Sequence, residues 1–536
     1  MKKIYIFLTC ILISSTSIWR CSDFLNVAPN KSGSAELYHM DQLYQLIGNY
    51  NLYHGANRVF SCWLETLYFA DGLDYLPYFI VNYRVYDEYT VWSGDFSPLK
   101  SMPEATMLMW DAVCNAIYTF NTVLENMDNV VQTTPAIRKQ VEGEALFGRA
   151  YFHFLSLVQY ALWDDNAPGI GYRVNTSPSE VPARETVKFT LDHIYQDLDQ
   201  AEAALREAGR TQFDLARNFR PTVPTVKALK ARVDLYRGNY TSALENANGA
   251  LEGYNYLQDF KNDPLYAVSQ QGTVNLLDQN DATIVGTKPY RRMLLLRDLG
   301  NEALWKHPEF YFPHGSQTVG ILASYPVVTL GTNYISISES TYNRFDREND
   351  ERWNRFYFNN YMAYARLAKT ITLPGNTSPT TYCMTWDAQQ NTTESSHHTY
   401  QRFGSNKQYL IGLTTAEMYL IKAECLARSG NTSEAAEVLK TLRRTRFTTV
   451  ESANNIGGSI AEVLEERARE MTEIWRFFDI KRLNGAENAN ISIRKTILTN
   501  RTDIKSTQEI VIAPNDPRWA LPFTNQQIIL MGWQQN

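Results

Sequence analysis

The chain is 536 residues long, with 44% hydrophobic and 20% charged residues, a globular composition that excludes an intrinsically disordered chain. Its formal net charge of −6 carries no basic excess and argues against a nucleic-acid partner. Length alone allows about three or four domains at ~150 residues each, and no segment after the N-terminus approaches the ~20 apolar residues of a membrane helix.

Lys2 and Lys3 open the chain with positive charge, and Ile4 to Ile13 form an almost unbroken apolar run. That run is too short to span a bilayer and has the length of a signal-peptide core, so residues 1–20 read as an export leader. Two processing sites stay open. Ser14, Ser15, Thr16 and Ser17 offer cleavage after Ser17; alternatively the chain is cut before Cys21, whose thiol is then acylated. Ile18, Trp19 and Arg20 stand before Cys21 where small residues are usual. Cys62, Cys114, Cys383 and Cys425 are far apart and form neither a CxxC pattern nor a dense disulfide framework, so isolated buried thiols are expected.

Aromatic residues make up 13% of the chain, with 33 tyrosines. In "YLPYFIVNYRVYDEYTVW" (75–92), Tyr83, Tyr86, Tyr89 and Trp92 recur every third residue. Two readings fit: a stripe buried in the core, or a platform on which the apolar face of a sugar ring stacks while Asn82 or Asp95 meets its hydroxyls. Pro77 and Gly94 give the tract an irregular setting.

Further along, "MWDAVCNAIYTFNTVLENM" (109–127) places Trp110, Val113, Ile117, Phe120 and Leu124 on one helical face for burial. The stretch 142–162 is apolar nearly all round, which predicts a helix enclosed by neighbours. Residues 190–209 are amphipathic and stop at Gly209, a C-cap. "ARVDLYRGNYTSA" (231–243) and "AECLARSGNTSEA" (423–435) share an alanine, then Gly-Asn seven residues on and alanine twelve residues on. Each reads as a helical hairpin with Gly-Asn at its turn, in the manner of a tetratricopeptide repeat. Residues 255–408 lose helical periodicity and fill with Gly, Pro, Asn, Thr and aromatics, which predicts a large irregular insertion.

The segment 465–483 reads as one charged helix with Glu466, Glu470 and Glu473 on a common face and Arg469, Arg476, Asp479 and Arg482 within reach. Glycoside cleavage needs two carboxyls roughly 5 to 9.5 Å apart across a cleft, one of them held protonated. Carboxylates stacked among arginines stay ionised, so an ion-pair network pinning the helix is the expected role. HExxH, GxxxxGK[ST], GxSxG and GxGxxG are absent from the sequence. His397 and His398 beside Glu394 read as a solvated Ser/Thr-rich loop. Asp346, Glu348, Asp350 and Glu351 lack the glycine and spacing of a calcium loop, so no metal and no cofactor are expected.

Eight blocks in order along the chain resemble the SusD/RagB family of outer-membrane nutrient-binding lipoproteins. They are "CSDFLNVAP"; Glu144-Ala145 with Arg149-Ala150-Tyr151-Phe152 and Leu157; 184–205; 221–244; "SESTYNRFDRENDERW" (338–353) with Asp350 and Arg352; "TTAEMYLIKAECLARSGN" (414–431); "EERAREMTEIWRFFDIKRL" (465–483); and "WALPFTNQQI" (519–528). After Tyr160 the chain departs from the family, reading "ALWDDNAPG" where Tyr-Gly and Pro are usual. The resemblance implies a mainly all-α, SusD-like fold with four tetratricopeptide-like helix pairs and a large irregular insertion. It implies one domain over 21–536: a helical scaffold at about 30–254 and 409–485, a ligand-binding insertion at about 255–408, and a C-terminal segment at 486–536.

It also implies a non-enzymatic glycan-binding protein, tethered outside the outer membrane by lipid on Cys21, that delivers an oligosaccharide or polysaccharide to a SusC-like TonB-dependent transporter. The family builds its ligand site from aromatics on irregular segments, which selects Tyr83, Tyr86, Tyr89, Trp92 and Asp95, with Trp305, Tyr311 and Tyr325 as a second half. Peptide capture in the manner of RagB, a secreted glycoside hydrolase and a cytoplasmic repeat scaffold are the competing functions. The leader argues against the last.

Overall fold

The computed structural model describes residues 37–48, 71, 73–75, 100, 108–131, 134–214, 217, 220–262, 266–277, 284–295, 303–305, 335–359, 368–371, 380–384, 398–400, 412–471, 474–498 and 507–536. Its helices are α1 (Met40–Gly48), α2 (Leu108–Asn126), α3 (Pro135–Tyr160), α4 (Val187–Glu207), α5 (Val223–Arg237), α6 (Tyr240–Gly253), α7 (Glu339–Arg344), α8 (Glu351–Phe356), α9 (Thr415–Arg428), α10 (Thr432–Arg443), α11 (Val450–Asn454), α12 (Ile460–Glu470), α13 (Ile474–Glu487) and α14 (Asn525–Met531). The fold is mainly helical, as expected.

The periodic stretches fold as their patterns dictate. Thr134 caps α3 by accepting the Ile137 N–H, and Pro135 occupies the first helical position, where no N–H is needed. The apolar wrap of α3 is buried on nearly every side from Val141 onward, against α2 and α4. On α2, Val113, Ile117 and Phe120 are buried while Trp110 and Leu124 pack against the core from its edge. The helices come close because Gly148 has no side chain: a Cβ there would stand 2.2 Å from the Phe120 ring. Asp197 of α4 then locks onto α3, taking Arg149 Nε at 2.6 Å and Nη2 at 2.7 Å.

Both Gly-Asn hairpins form. Gly238 (φ 80°) and Gly430 (φ 85°) turn through the left-handed region, and Asn239 and Asn431 begin α6 and α10. Ala231, Ala243, Ala423 and Ala435 are fully buried where the paired helices meet.

The described residues of 255–408 include strands that its composition does not announce. They hold the hairpin β2 (Tyr266–Leu277) and β3 (Ile284–Leu295), which joins β7 (Ala368–Ile371) and β8 (Thr380–Met384) in the order β3-β2-β8-β7. Pro289 sits in β3 opposite Thr273, and β3 is an edge strand, the place in a sheet where proline is tolerated. His398 begins β9 (His398–Tyr400), opposite Asn359 of β6 (Tyr357–Asn359), where a solvated loop was expected.

Other strands stitch this region into the scaffold. β4 (Ala303–Trp305) pairs with β10 (Leu413–Thr414), directly before α9. β5 (Ile335–Ile337) pairs with β1 (Leu73–Tyr75), which runs parallel to β11 (Ile493–Leu498) of a hairpin with β12 (Thr507–Ile512).

Cys425 is buried, and burial pushes its thiol up to about 12. Cys114 instead faces solvent, because the next residue around from Val113 leaves the buried side of α2. Among the described residues no helix is long and apolar enough to cross a membrane.

Candidate functional site

Tyr83, Tyr86, Tyr89, Trp92, Asp95, Tyr311 and Tyr325 lie outside the described residues, as does Cys21. Trp305 is placed by its backbone, opposite Leu413 across the β4–β10 pair. The residue after Leu413, Thr414, caps α9 by accepting the Glu417 N–H at 3.2 Å. The Trp305 backbone is thus tied to the start of a scaffold helix.

The charged segment 465–483 is two helices and not one. α12 ends at Glu470 and α13 begins at Ile474, while Glu473 lies outside the described residues. On α12, Glu466 receives Arg352 Nη2 at 2.7 Å, Arg443 Nη1 at 2.7 Å and Arg469 Nε at 3.1 Å. Glu470 receives Arg352 Nη1 at 2.9 Å and Arg446 Nη2 at 2.9 Å. Both carboxylates are buried. Burial alone would raise the Glu466 carboxyl, but Arg352, Arg469 and Arg443 outweigh it and hold the group well below the ordinary carboxylate range.

Asp350 and Arg352 belong to this scaffold network, although sequence position assigns them to the insertion. Asp350 takes Arg352 Nε at 2.9 Å and Nη2 at 2.8 Å. Burial lifts the Asp350 carboxyl against that attraction, yet it has no exposure through which a glycosidic bond could approach it.

The second cluster joins α13 to the rest. Asp479 takes Arg467 Nε and Arg482 Nε, each at 2.8 Å, and Glu424 of α9 takes Arg482 Nη1 and Nη2 at 2.9 and 2.8 Å. Arg232 of α5 stacks over Trp475, 3.9 Å from its ring centroid, and chelates Glu417. Arg476 reaches Asp71 at 2.8 Å. Every carboxylate in these two clusters is engaged by a guanidinium, and none stands free on a cleft wall as an acid–base pair would. The ion-pair role expected of this segment therefore holds, with most partners supplied from distant parts of the chain.

A different place has open polar groups. A cleft of about 380 Å³ lies where the end of α13 meets residues 162–164 and the 514–519 turn. Its deep wall is spoken for: Trp519 stacks on Phe477 at 5.0 Å, and the indole N–H of Trp163 donates to the Tyr236 carbonyl. Lys481 is buried there and donates through Nζ to the Val158 carbonyl at 2.6 Å, capping the negative end of α3. Burial without a carboxylate partner among the described residues pulls its ammonium down to about 7.

The rim is different. Asn484 closes the loop after α13 by exchanging two 2.8 Å hydrogen bonds with the Ile491 backbone. Asn488 (φ 51°) and Asn490 (φ 55°) carry that loop through the left-handed region, which asparagine tolerates. Their exposed carboxamides, with that of Asn515, take no protein partner among the described residues. The sequence "NGAENANIS" (484–492) marks a turn, but nothing in it announces a cleft.

Two family descriptions match successive parts of the chain: "SusD-like_3: Starch-binding associating with outer membrane" over residues 77–252, and "SusD family" (SusD_RagB) over residues 309–528. No curated protein gives a significant match. Solved structures share the fold. A SusD superfamily protein from Bacteroides thetaiotaomicron aligns with TM-score 0.59 at 17% identity, over 93% of this chain and 99% of its own. Surface glycan-binding protein A from the same species gives 0.57 at 16%, over 92% and 98%. A SusD-like carbohydrate binding protein from Bacteroides vulgatus gives 0.56 at 14%, over 92% and 97%. With both family matches in chain order, and the Asp350–Arg352 and 465–483 blocks meeting in one buried network, the chain belongs to the SusD/RagB family.

Proposed function

We propose that the protein captures oligosaccharides or polysaccharides at the cell surface and passes them to a SusC-like TonB-dependent transporter. The observation that carries this reading is family membership, whose matching description is starch-binding and associated with the outer membrane. Two solved structures of the same fold, named for glycan and carbohydrate binding, support it. The engagement of the α12 and α13 carboxylates by arginines supports capture without cleavage.

In this reading Cys21 carries the lipid tether, with more than one acyl chain for stable anchoring. Residues 21–536 act as one domain. The ligand platform is formed by Tyr83, Tyr86, Tyr89, Trp92 and Asp95, opposed by Trp305, Tyr311 and Tyr325. The pairing of β4 with β10 gives Trp305 a fixed base.

A glycan-array screen of the protein lacking residues 1–21 tests the function, repeated with Trp92→Ala and Trp305→Ala. Binding of an oligosaccharide that weakens at least tenfold in either variant is expected. Selective binding of peptide pools with no glycan retained would replace the sugar reading with peptide capture. Unchanged glycan binding in both variants would overturn the site. Metabolic labelling with a clickable fatty acid, lost in Cys21→Ala, tests the tether.

A further inference from the structure

We propose that the cleft between the end of α13 and the 514–519 turn is a second sugar site, holding one or two sugar units through Asn488, Asn490, Asn515 and Asp164. Its volume of about 380 Å³ falls at the small end of ligand pockets, roughly 300 to 1,000 Å³. Its lining residues all fall within 162–164, 481–490 and 514–519, and none belongs to the 75–95 and 302–325 stretches of the aromatic platform.

The chemistry of the rim selects the ligand. A carboxamide presents one acceptor oxygen and two N–H donors side by side, and neighbouring hydroxyls on a sugar ring present the complementary pair. Three such groups at one cleft have no protein partner among the described residues. Asp164 adds an acceptor, since only its Oδ1 is engaged, by the Asn166 N–H at 2.7 Å. Asp516, by contrast, is used up by Arg518.

Charge decides between neutral and acidic ligands. The Lys481 side chain is buried, with its Nζ turned to the Val158 carbonyl, and the carboxylate of Asp164 at the rim repels an anion, so the cleft takes a neutral polyol. The loop is also preset. Asn484 pins it at both ends of the Ile491 peptide, which limits the ordering cost of binding. The choice of a sugar over another polyol rests on the glycan-capture reading.

Saturation-transfer difference NMR on the full-length protein tests the site with glucose, galactose, xylose, cellobiose and laminaribiose, and with glucuronate as the acidic control. The variant Asn488→Gly/Asn490→Gly/Asn515→Ala removes the three amides and keeps a residue that accepts positive φ at both turn positions. At least one neutral sugar is expected to bind, at least tenfold more weakly to the variant, and unaffected by Trp92→Ala. No transfer from any of these sugars, equal transfer to wild type and variant, or preference for glucuronate would overturn the proposal. Should long glycans bind wild type and variant alike while no short sugar binds either, the cleft fails and glycan capture stands. Should glycans of every length fail to bind, glycan capture falls as well.

Discussion

Arg352 and Glu466 stand 114 residues apart in the chain and 2.7 Å apart in the fold, both buried. The same guanidinium holds Asp350 and Glu470. Arg352→Met would leave three buried carboxylates short of their shared cation, and breaking a buried pair costs about 3–5 kcal/mol. Urea denaturation is expected to show a loss of that size. A loss below about 1 kcal/mol would show that the network relaxes without its centre.

Glu466 and Glu470 also separate binding from hydrolysis. Wild type, Glu466→Gln and Glu470→Gln are all expected to leave a bound oligosaccharide intact, measured as released reducing ends. The two variants should differ from wild type in denaturation midpoint alone. Release by wild type that disappears in either variant would make the protein a glycoside hydrolase.

His153 gives a pH dependence with a defined sign. It is buried, stacks on Tyr172 at 3.9 Å, lies 2.8 Å from the Arg149 carbonyl through Nδ1 and accepts the Arg173 N–H through Nε2 at 3.0 Å. That arrangement fits the neutral ring. Burial, opposed by the Arg149 carbonyl but reinforced by the Arg149 and His193 charges, lowers its pKa to about 3 from the ordinary 6.5. Between those values the unfolded chain binds a proton that the folded chain refuses, so stability falls as pH drops below about 6.5. The slope approaches about 1.4 kcal/mol per pH unit. Stability measured from pH 6.5 to 4.5 should decline less steeply in His153→Gln; parallel curves would remove His153 as the cause.

Two glycines test different kinds of necessity. Gly430 has φ 85° and open space where a Cβ would go, so Gly430→Ala should cost about 1–2 kcal/mol from backbone strain alone. Gly430→Asn should recover part of it. A Cβ on Gly148 would stand 2.2 Å from the Phe120 ring, so Gly148→Ala acts by overpacking, at about 1–3 kcal/mol. Equal rescue of both positions by asparagine would contradict this division.

The helices and their turns were legible in the sequence because their determinants are local. Val113, Ile117 and Phe120 repeat with the helical period, Gly209 marks a stop, and Gly238-Asn239 and Gly430-Asn431 mark turns whose φ only a few residues accept. The β2–β3 hairpin was hidden because the Gly- and Pro-rich composition of 255–408 reads as irregular, whereas Pro289 stands on the edge strand β3, where proline is tolerated. The split of 465–483 into α12 and α13 was hidden too, since its charges fit a single helix and their partners are remote.

Sequence by itself determined the helical periods, the C-cap at Gly209, the Gly-Asn turns and the ordered blocks of the family. Only the tertiary structure decided that Arg352 serves Glu466, that Lys481 caps α3, and that Asn488 and Asn515 share a cleft. A period or a cap is set by interactions within a few residues. An ion pair or a cleft exists only after distant segments have packed, because each partner's burial is supplied by the others.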